Sequence, residues 1–203
     1  MHQMSLKAKI RRRRPYVSYK GAISRIAPNV LDRNFMPVAP NTAWVSDVTE
    51  FQVAGRRVYL SPIMDLFDHT IIAHTIATSP STALTASSLK KALTKHSPAP
   101  GWIMHTDQGF QYQHSSWRDL VNAHQGTLSM SRKGNCYDNA VMENFFGHLK
   151  AEMYHGETFT TVEEFTTAIN DYIHWYNTKR LQQRLKGLAP MQYRSQTLKA
   201  SAA

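Results

Sequence analysis

The alternation of apolar and polar positions becomes regular near residue 43. From there, three β-prone runs follow one another with short polar breaks: AWVSDVTEFQV, VYLSPIMDLF and HTIIAHTIA. Runs of this kind are typical of strands, and short breaks favour antiparallel neighbours. The pattern therefore predicts a three-stranded antiparallel meander. It places Asp47 inside the first strand, at the parity of Val45, Phe51 and Val53.

Helical and extended patterns alternate in the rest of the chain. Leucines spaced along residues 82–95 predict a helix, WIMH predicts a short buried strand before Asp107, and a helix over Ser115–Ala123 and a strand near TLSM follow. Apolar residues recur at helical intervals over Asn139–Met153 and roughly Val162–Tyr176, which predicts two more helices. The segment SQTLKASAA shows no such periodicity and is expected to be irregular.

This order of elements predicts an α/β fold of ribonuclease-H-like topology. We expect a mixed five-stranded sheet flanked by helices, with a C-terminal helical extension. Residues 1–40 carry four prolines and little periodicity, which indicates an arm and linker. Residues 41–155 are predicted to form the core, and residues 156–203 a helix and tail that complete it.

Positive charge is concentrated at the N-terminus. The 203-residue chain has a formal charge of +10, of which residues 1–40 contribute nine basic side chains against Asp32 alone, a net +8. This arm contains four consecutive arginines: Arg11, Arg12, Arg13 and Arg14. Such a segment predicts binding to DNA phosphates, with an affinity that falls as salt rises. The alternative is a solvated tail without a specific ligand.

Composition narrows the class of protein. Hydrophobic residues make up 42% and charged residues 19% of the chain, which is typical of a folded domain. Cys136 is the single cysteine, and this excludes both a disulfide framework and a two-Cys, two-His zinc site within the chain. No apolar run is long enough to cross a membrane, and none follows the N-terminal charges. We therefore expect a cytoplasmic protein.

Three acidic side chains lie where an unpaired charge is costly. Asp47 has apolar strand neighbours, and Asp107 follows the buried WIMH strand, at the end where α/β sheets bind ligands. Glu143 lies on the third predicted helix, with Asn139 and Lys150 near its face. The pattern predicts that these three carboxylates converge on two divalent ions. Hard oxygen ligands suit Mg²⁺ or Mn²⁺, whereas zinc would call for His or Cys.

The segments around these acids carry a more specific signal than their spacing does. They are NTAWVSDVTEF, YLSPIMDLF, HTDQGFQYQH, SMSRKGNCYDNAVMENFFGHLKAEM and YIHWYNTKRLQQRLKGLAPMQYR. In this order they strongly resemble the second-reading-frame (OrfB) transposases of a large bacterial insertion-sequence family. The resemblance extends from about Ser18 to Arg194. It implies a retroviral-integrase-type catalytic core over residues 41–155 with an Asp, Asp, Glu triad.

The resemblance also implies a chemistry. Asp47, Asp107 and Glu143 would be the catalytic, metal-binding acids, and Lys150 the basic residue that follows the Glu in integrase-type enzymes. The implied reaction is metal-dependent DNA cleavage and strand transfer by two-metal phosphoryl transfer. Hydrolysis at the transposon end frees a 3′-hydroxyl, which then attacks another phosphodiester.

Partners follow from the same resemblance. We expect DNA, both transposon ends and target, a homo-multimer assembled on it, and an upstream-frame DNA-binding protein as a further candidate, all at the bacterial nucleoid. Arg132, Lys133 and Asn139, in or next to the polar loop before Glu143, are predicted to line the DNA channel, the alternative being an ordinary polar loop. Lys150, about two turns beyond Glu143, is predicted to contact a DNA phosphate near the site. Asp138 is a candidate cap of the following helix.

Two alternative functions remain open. A ribonuclease H or another nuclease on the same fold would use similar acids. A truncated element protein would instead bind DNA or partner subunits without catalysis. Family members have a helical DNA-binding region ahead of the core where this chain has a short arm, which puts autonomous recognition of transposon ends in doubt.

Three other side chains have two interpretations each. Asp65 is either a further metal ligand or, as we favour, a cap of the turn after its strand. Glu50 is expected to face solvent or pair with Arg56 or Arg57. His105 is either structural or orients the neighbouring acid or the attacking water.

Overall fold

A computed structural model describes residues 26–201, apart from the side chains of Cys136 and Ser201. The strands are β1 Ala43–Ser46, β2 Thr49–Val53, β3 Arg56–Asp65, β4 Ile71–Ala77, β5 Ile103–Thr106 and β6 Thr127–Met130. The helices are α1 Thr82–Lys95, α2 Phe110–Gln113, α3 Ser115–Ala123, α4 Ala140–Leu149, α5 Val162–Thr178 and α6 Pro190–Ser201. A 3₁₀ turn over Cys136–Asn139 leads into α4, and a π-helical turn over Lys150–Tyr154 follows it.

The strands form one mixed sheet with β1 near its centre. β1 pairs antiparallel with β3 and parallel with β5, and β5 pairs parallel with β6. β3 also pairs antiparallel with β2 and with β4. The predicted ribonuclease-H-like α/β arrangement, a mixed sheet flanked by helices, is confirmed, but the sheet has six strands and not five.

The sixth strand arises because the first predicted strand, residues 43–53, is interrupted. β1 and β2 pair with β3 in one continuous register, which places Pro62 opposite Asp47. Proline has no N–H to donate to a ladder, so the pairing lapses at Asp47 and Val48. Because the register is continuous, Asp47 keeps the parity of Val45 and Phe51.

Helices cover both faces of the sheet. On one face, α4 and α5 contribute side chains such as Phe165 to a core that contains Val45. On the other, α1 and α3 contribute side chains such as Trp117 to a core around Trp44. Asp47, by its parity, belongs to the face that α4 covers. No helix in the described part of the chain has the length and apolarity needed to cross a bilayer.

The C-terminal segment forms a helix, so the prediction of an irregular tail is wrong. Pro190 suits the first turn of α6 because a helix has no partner for that N–H. Further along, Arg194 donates one hydrogen bond of 2.7 Å to Asp65 and two more to Asp68, and both carboxylates are fully buried. This ionic cluster joins residues more than a hundred positions apart in sequence, so the local pattern of apolar residues does not predict it.

His69, in the turn between β3 and β4, makes the fold sensitive to acid. Burial, with the positive charge of Arg184, lowers its pKa from 6.5 to about 3. A lowered folded pKa means that the neutral side chain stabilises the fold fully above pH 6.5. This stability is lost as pH falls toward 3.

We expect His69→Asn to flatten the fall in unfolding free energy between pH 6.5 and 4, by up to about 1.4 kcal/mol per pH unit. Asn tolerates the positive φ of 61° at this position. Urea denaturation at a series of pH values measures the slope. His174→Asn, at an exposed position of α5, is the control, and an unchanged slope in His69→Asn would contradict the prediction.

Candidate active site

Asp47 and Asp107 directly follow two adjacent parallel strands. Ser46, the last residue of β1, pairs with Thr106, the last residue of β5. The carboxyl ends of neighbouring parallel strands meet at one edge of a sheet. The predicted position of Asp107 at a strand end is thus confirmed, whereas Asp47 lies in the break after β1 and not inside a strand.

Short hydrogen bonds hold both carboxylates. The Val48 N–H donates to Asp47 Oδ1 at 2.7 Å, and Asn139 Nδ2 donates to Asp47 Oδ2 at 2.8 Å. The Gly109 N–H donates to Asp107 Oδ1 at 2.8 Å. A Cβ atom at Gly109 would lie 2.9 Å from that oxygen, so the close approach requires glycine.

The carboxyl groups of Asp47 and Asp107 both have raised pKa values. Burial raises the pKa of the Asp47 carboxyl well above its ordinary value, and the negative charges of Asp107 and, more weakly, Glu143 raise it further. Burial also raises the pKa of Asp107, against the hydrogen bond from Gly109. Such sites favour a compensating cation, because it lowers both pKa values.

The buried phenol of Tyr112 lies close to the same edge. Its oxygen is 3.1 Å from Ser46 Oγ. Burial, and the charges of Asp47 and Asp107, raise the pKa of this phenol well above its ordinary value. A neutral hydroxyl therefore lies within the field of both acids. Tyr112 is not predicted from the sequence, because its position depends on how α2 packs.

The N-terminal end of α4 faces the two aspartates. Asn139 is the N-cap of α4, and Glu143 lies in its first turn. Residues four apart share a helix face, so the bond from Asn139 to Asp47 turns the face of Glu143 toward the sheet edge. A negative charge in the first turn is also favoured by the helix dipole.

This donor set fits a hard divalent cation, since it consists of carboxylate oxygens. The charge of Asp107 raises the pKa of Asp47 more than the charge of Glu143 does. Within residues 26–201, no three His, Cys, Asp or Glu side chains are grouped closely enough to form a complete set of metal ligands. The arrangement therefore consists of two adjacent carboxylates, with the third on a helix that points to them.

The loop before α4 is anchored by Asp138, which is 1% exposed. Its carboxylate accepts hydrogen bonds of 2.8 to 3.1 Å from the side chains of Asn29, Arg33 and Arg132 and from the backbone of Arg132. These bonds, chiefly that from the Arg132 side chain, hold the pKa of Asp138 far below its usual range. The sequence offers Asp138 only as a helix cap, and the cluster requires partners about a hundred residues away.

The residues predicted to contact DNA lie in the loop before α4 and directly after α4. Arg132 pairs with Asp138 and lies 3.4 Å from Asp32, and Lys133 is exposed in the same loop. Lys150 Nζ lies 5.2 Å from the centre of the Phe51 ring. Contact of these side chains with DNA stays a prediction. The described residues do not include the basic run, which consists of Arg11, Arg12, Arg13 and Arg14.

His105 connects β5 to β6 and to the loop before α4. One ring nitrogen is 2.8 Å from Ser129 Oγ, and the other is 3.0 Å from the Asp138 carbonyl oxygen. Burial lowers its pKa to about 4, so the ring is neutral. These partners make His105 structural, and they do not include Asp107.

The interpretations of Asp65 and Glu50 are settled. Asp65 pairs with Trp44 at the start of β1, and so lies at the opposite edge from Asp47. It accepts from the Phe67 N–H at 3.1 Å, which confirms the turn cap. Glu50 is confirmed as solvent-facing, 3.6 Å from an arginine, Arg57.

Comparison with known proteins identifies the family of the chain. Two models of the integrase core domain match residues 37–136 and 143–198. The chain is 44% identical over 97% of its length to a putative transposase InsK of insertion sequence element IS150 from Escherichia coli K12, of which it covers 69%. It is 43% identical over 98% of its length to a transposase-like protein of Haemophilus influenzae, of which it covers 91%.

Solved structures show the same fold. A chain of the simian T-cell lymphotropic virus intasome superposes with a TM-score of 0.61 at 16% identity, over 85% of this chain and 57% of that one. The HTLV-2 integrase catalytic core domain in complex with magnesium gives 0.54 at 15% identity, over 77% of this chain and 98% of that one. With the sequence relatives, these show a polynucleotidyl transferase of integrase type. The chain belongs to the insertion-sequence transposases that carry an integrase core domain.

Proposed function

We propose that this transposase cleaves the ends of its insertion sequence and joins them to target DNA at Asp47, Asp107 and Glu143. The observation that carries the proposal is the pairing of Asp47 and Asp107 at the ends of β1 and β5. Two half-buried carboxylates, one of which raises the pKa of the other, are costly for a fold. Such a pair of carboxylates is typical of a functional site, and here it would bind a cation next to a phosphodiester.

Asp47, Asp107 and Glu143 would hold Mg²⁺ or Mn²⁺, with two ions per site. When bound, such ions activate the attacking oxygen and stabilise the leaving oxygen at phosphorus. The protein contributes the positions of the ligands: Val48 and Gly109 each hold one carboxylate oxygen through a backbone N–H. Burial of both aspartates lowers the local dielectric, which strengthens their attraction for a cation.

DNA is the proposed partner, and Lys150, Arg132, Lys133 and Asn139 remain candidates to line its channel. We assign residues 1–40 to an arm that contacts phosphates, residues 41–155 to the catalytic core, and residues 156–203 to its completion. Joining at two ends calls for a homo-multimer on DNA, in the cytoplasm at the nucleoid. An upstream-frame DNA-binding protein would supply recognition of the ends.

A strand-transfer assay tests the proposal. Purified protein is incubated with a labelled element end, target DNA and Mg²⁺, and Glu143→Gln serves as the inactive control. Joined products that require Glu143 are expected. Cleavage of RNA–DNA hybrids without joining would favour a nuclease, and DNA binding without turnover would favour a regulator.

Deletion of residues 1–14 is expected to flatten the salt dependence of DNA binding. This segment carries six basic side chains, and each phosphate that the protein no longer neutralises lowers the slope of log K against log salt by about 0.9. Fluorescence anisotropy between 50 and 200 mM salt, with a duplex of fixed sequence, measures that slope. An unchanged slope would mean that the arm does not bind phosphates.

A further inference from the structure

The side chain of Asn139, at the start of α4, hydrogen-bonds to a residue outside that helix. It is the N-cap of α4, where an Asn side-chain oxygen normally accepts from a backbone N–H of the first turn. Here the side chain makes no capping hydrogen bond. Its Nδ2 instead donates to Asp47 Oδ2 at 2.8 Å, across 92 residues of sequence.

The other end of the same amide has no partner among residues 26–201. Asn139 is only 8% exposed, and its buried Oδ1 accepts no hydrogen bond from those residues. A buried acceptor without a partner destabilises a fold. Stability of the fold therefore does not explain Asn139, whereas its bond to Asp47 does.

The backbone on either side holds Asn139 in place. Asp138, the preceding residue, is fixed by Arg132 and Arg33 through its carboxylate and lies 3.0 Å from His105 through its carbonyl oxygen. On the other side, α4 begins directly. The amide is thus presented to Asp47 from a rigid support, as positioning of a metal ligand requires.

We infer that Asn139 is a positioning residue that sets the orientation of the Asp47 carboxylate for divalent-cation binding. This inference rests on the proposed function, because it takes Asp47 as a metal ligand. Asn139 acts through Asp47, and its amide links the α4 end that carries Glu143 to the sheet edge that carries the aspartates. A side chain that cannot reach Asp47 leaves that carboxylate free to turn away.

The test compares cation affinity with stability in Asn139→Ser. Serine is too short to reach Asp47 and removes the buried amide oxygen that lacks a partner, so the melting temperature is expected to stay level or rise. The dissociation constant for Mn²⁺, from calorimetric titration of the DNA-free protein, is expected to rise about 10- to 100-fold, as for other residues that orient metal ligands. The Mg²⁺ concentration for half-maximal strand transfer should rise in parallel.

Two further variants make the result specific. Asn139→Ala removes the donor without adding a hydroxyl, and it should weaken Mn²⁺ binding as much as serine does. Asn135→Ser makes the same substitution in the same loop, where the Asn135 side chain accepts a hydrogen bond from the Tyr137 N–H, and should leave Mn²⁺ affinity unchanged. Wild-type Mn²⁺ affinity in both Asn139 variants, or equal weakening in Asn135→Ser, would overturn the inference.

Asp107→Asn separates this inference from the proposed function. If the wild-type protein binds Mn²⁺ and Asp107→Asn does not, the cation site is where we place it, and the Asn139 variants decide the inference alone. If Asp107→Asn binds Mn²⁺ as the wild type does, the site itself is misplaced, and both proposals fail.

Discussion

Asp107→Asn is expected to reduce strand transfer by about a thousandfold or more. Asparagine keeps the size of the side chain but removes one negative ligand for the cation, and cation chemistry at phosphorus contributes several kcal/mol to the rate. At about 1.36 kcal/mol per factor of ten, a loss of about 4 kcal/mol corresponds to three orders of magnitude. Single-turnover joining of a labelled element end measures it.

The same variant should not be less stable than the wild type when metal is absent. Asp47 and Asp107 repel each other in a buried place, and burial already raises the pKa of both. Removing one charge relieves that repulsion, so the melting temperature in EDTA should stay level or rise. Addition of Mg²⁺ should stabilise the wild type and leave Asp107→Asn unchanged, because only binding to the folded state shifts the equilibrium.

The control is Asp119→Asn, the same substitution at an exposed position of α3. It should keep both joining activity and stabilisation by Mg²⁺. Joining by Asp107→Asn at the wild-type rate would show that this carboxylate is not part of the active site. Loss of activity together with loss of the fold would instead point to a structural role.

Arg194→Ala is expected to lower the free energy of unfolding by about 3–5 kcal/mol, because it leaves two buried carboxylates without their cation. Asp65 and Asp68 have no exposed side-chain surface, and Arg194 is their shared partner from α6. Urea denaturation followed by circular dichroism measures the change. A change below about 1 kcal/mol would place this cluster among the weak surface ion pairs.

Two controls separate the charge from the helix. Lys199→Ala removes a positive charge from the last turn of α6 and should have little effect. Replacing all three groups with neutral residues, as Asp65→Asn, Asp68→Asn and Arg194→Met together, should recover much of the stability, because no unpaired charge then stays buried. If the triple variant is as unstable as Arg194→Ala, packing of the arginine stem, rather than its charge, holds α6.

Most elements were predictable because their pattern is local. The spacing of apolar residues identifies α1 and α5, since a helix that packs on a sheet repeats its buried face every three to four residues. The strand before Asp107 is equally clear, because a short apolar run after Pro and Gly leaves few other structures. The interruption at Asp47 is not local: it depends on Pro62 in the neighbouring strand.

The candidate site was predictable for a different reason. Long motifs around Asp47, Asp107 and Glu143 identify the family, and family membership indicates the acids without any knowledge of their distances. The spacing of the acids would not have selected them from fourteen Asp and Glu residues. The supporting residues were missed or given another role. Asn139 was predicted only as a DNA contact, and Asp138 only as a cap.

The sequence by itself determined the α/β class, most element boundaries and the basic character of the arm, and it selected the three candidate acids. Only the tertiary structure decided which partner each buried polar group has. The bonds Asn139–Asp47, Arg33–Asp138 and Arg194–Asp68 join residues 92, 105 and 126 positions apart. The periodicity of apolar residues indicates which side chains are buried, because the buried face of a helix or strand repeats with its backbone geometry. The partner of a buried polar group depends on how the whole chain folds back on itself.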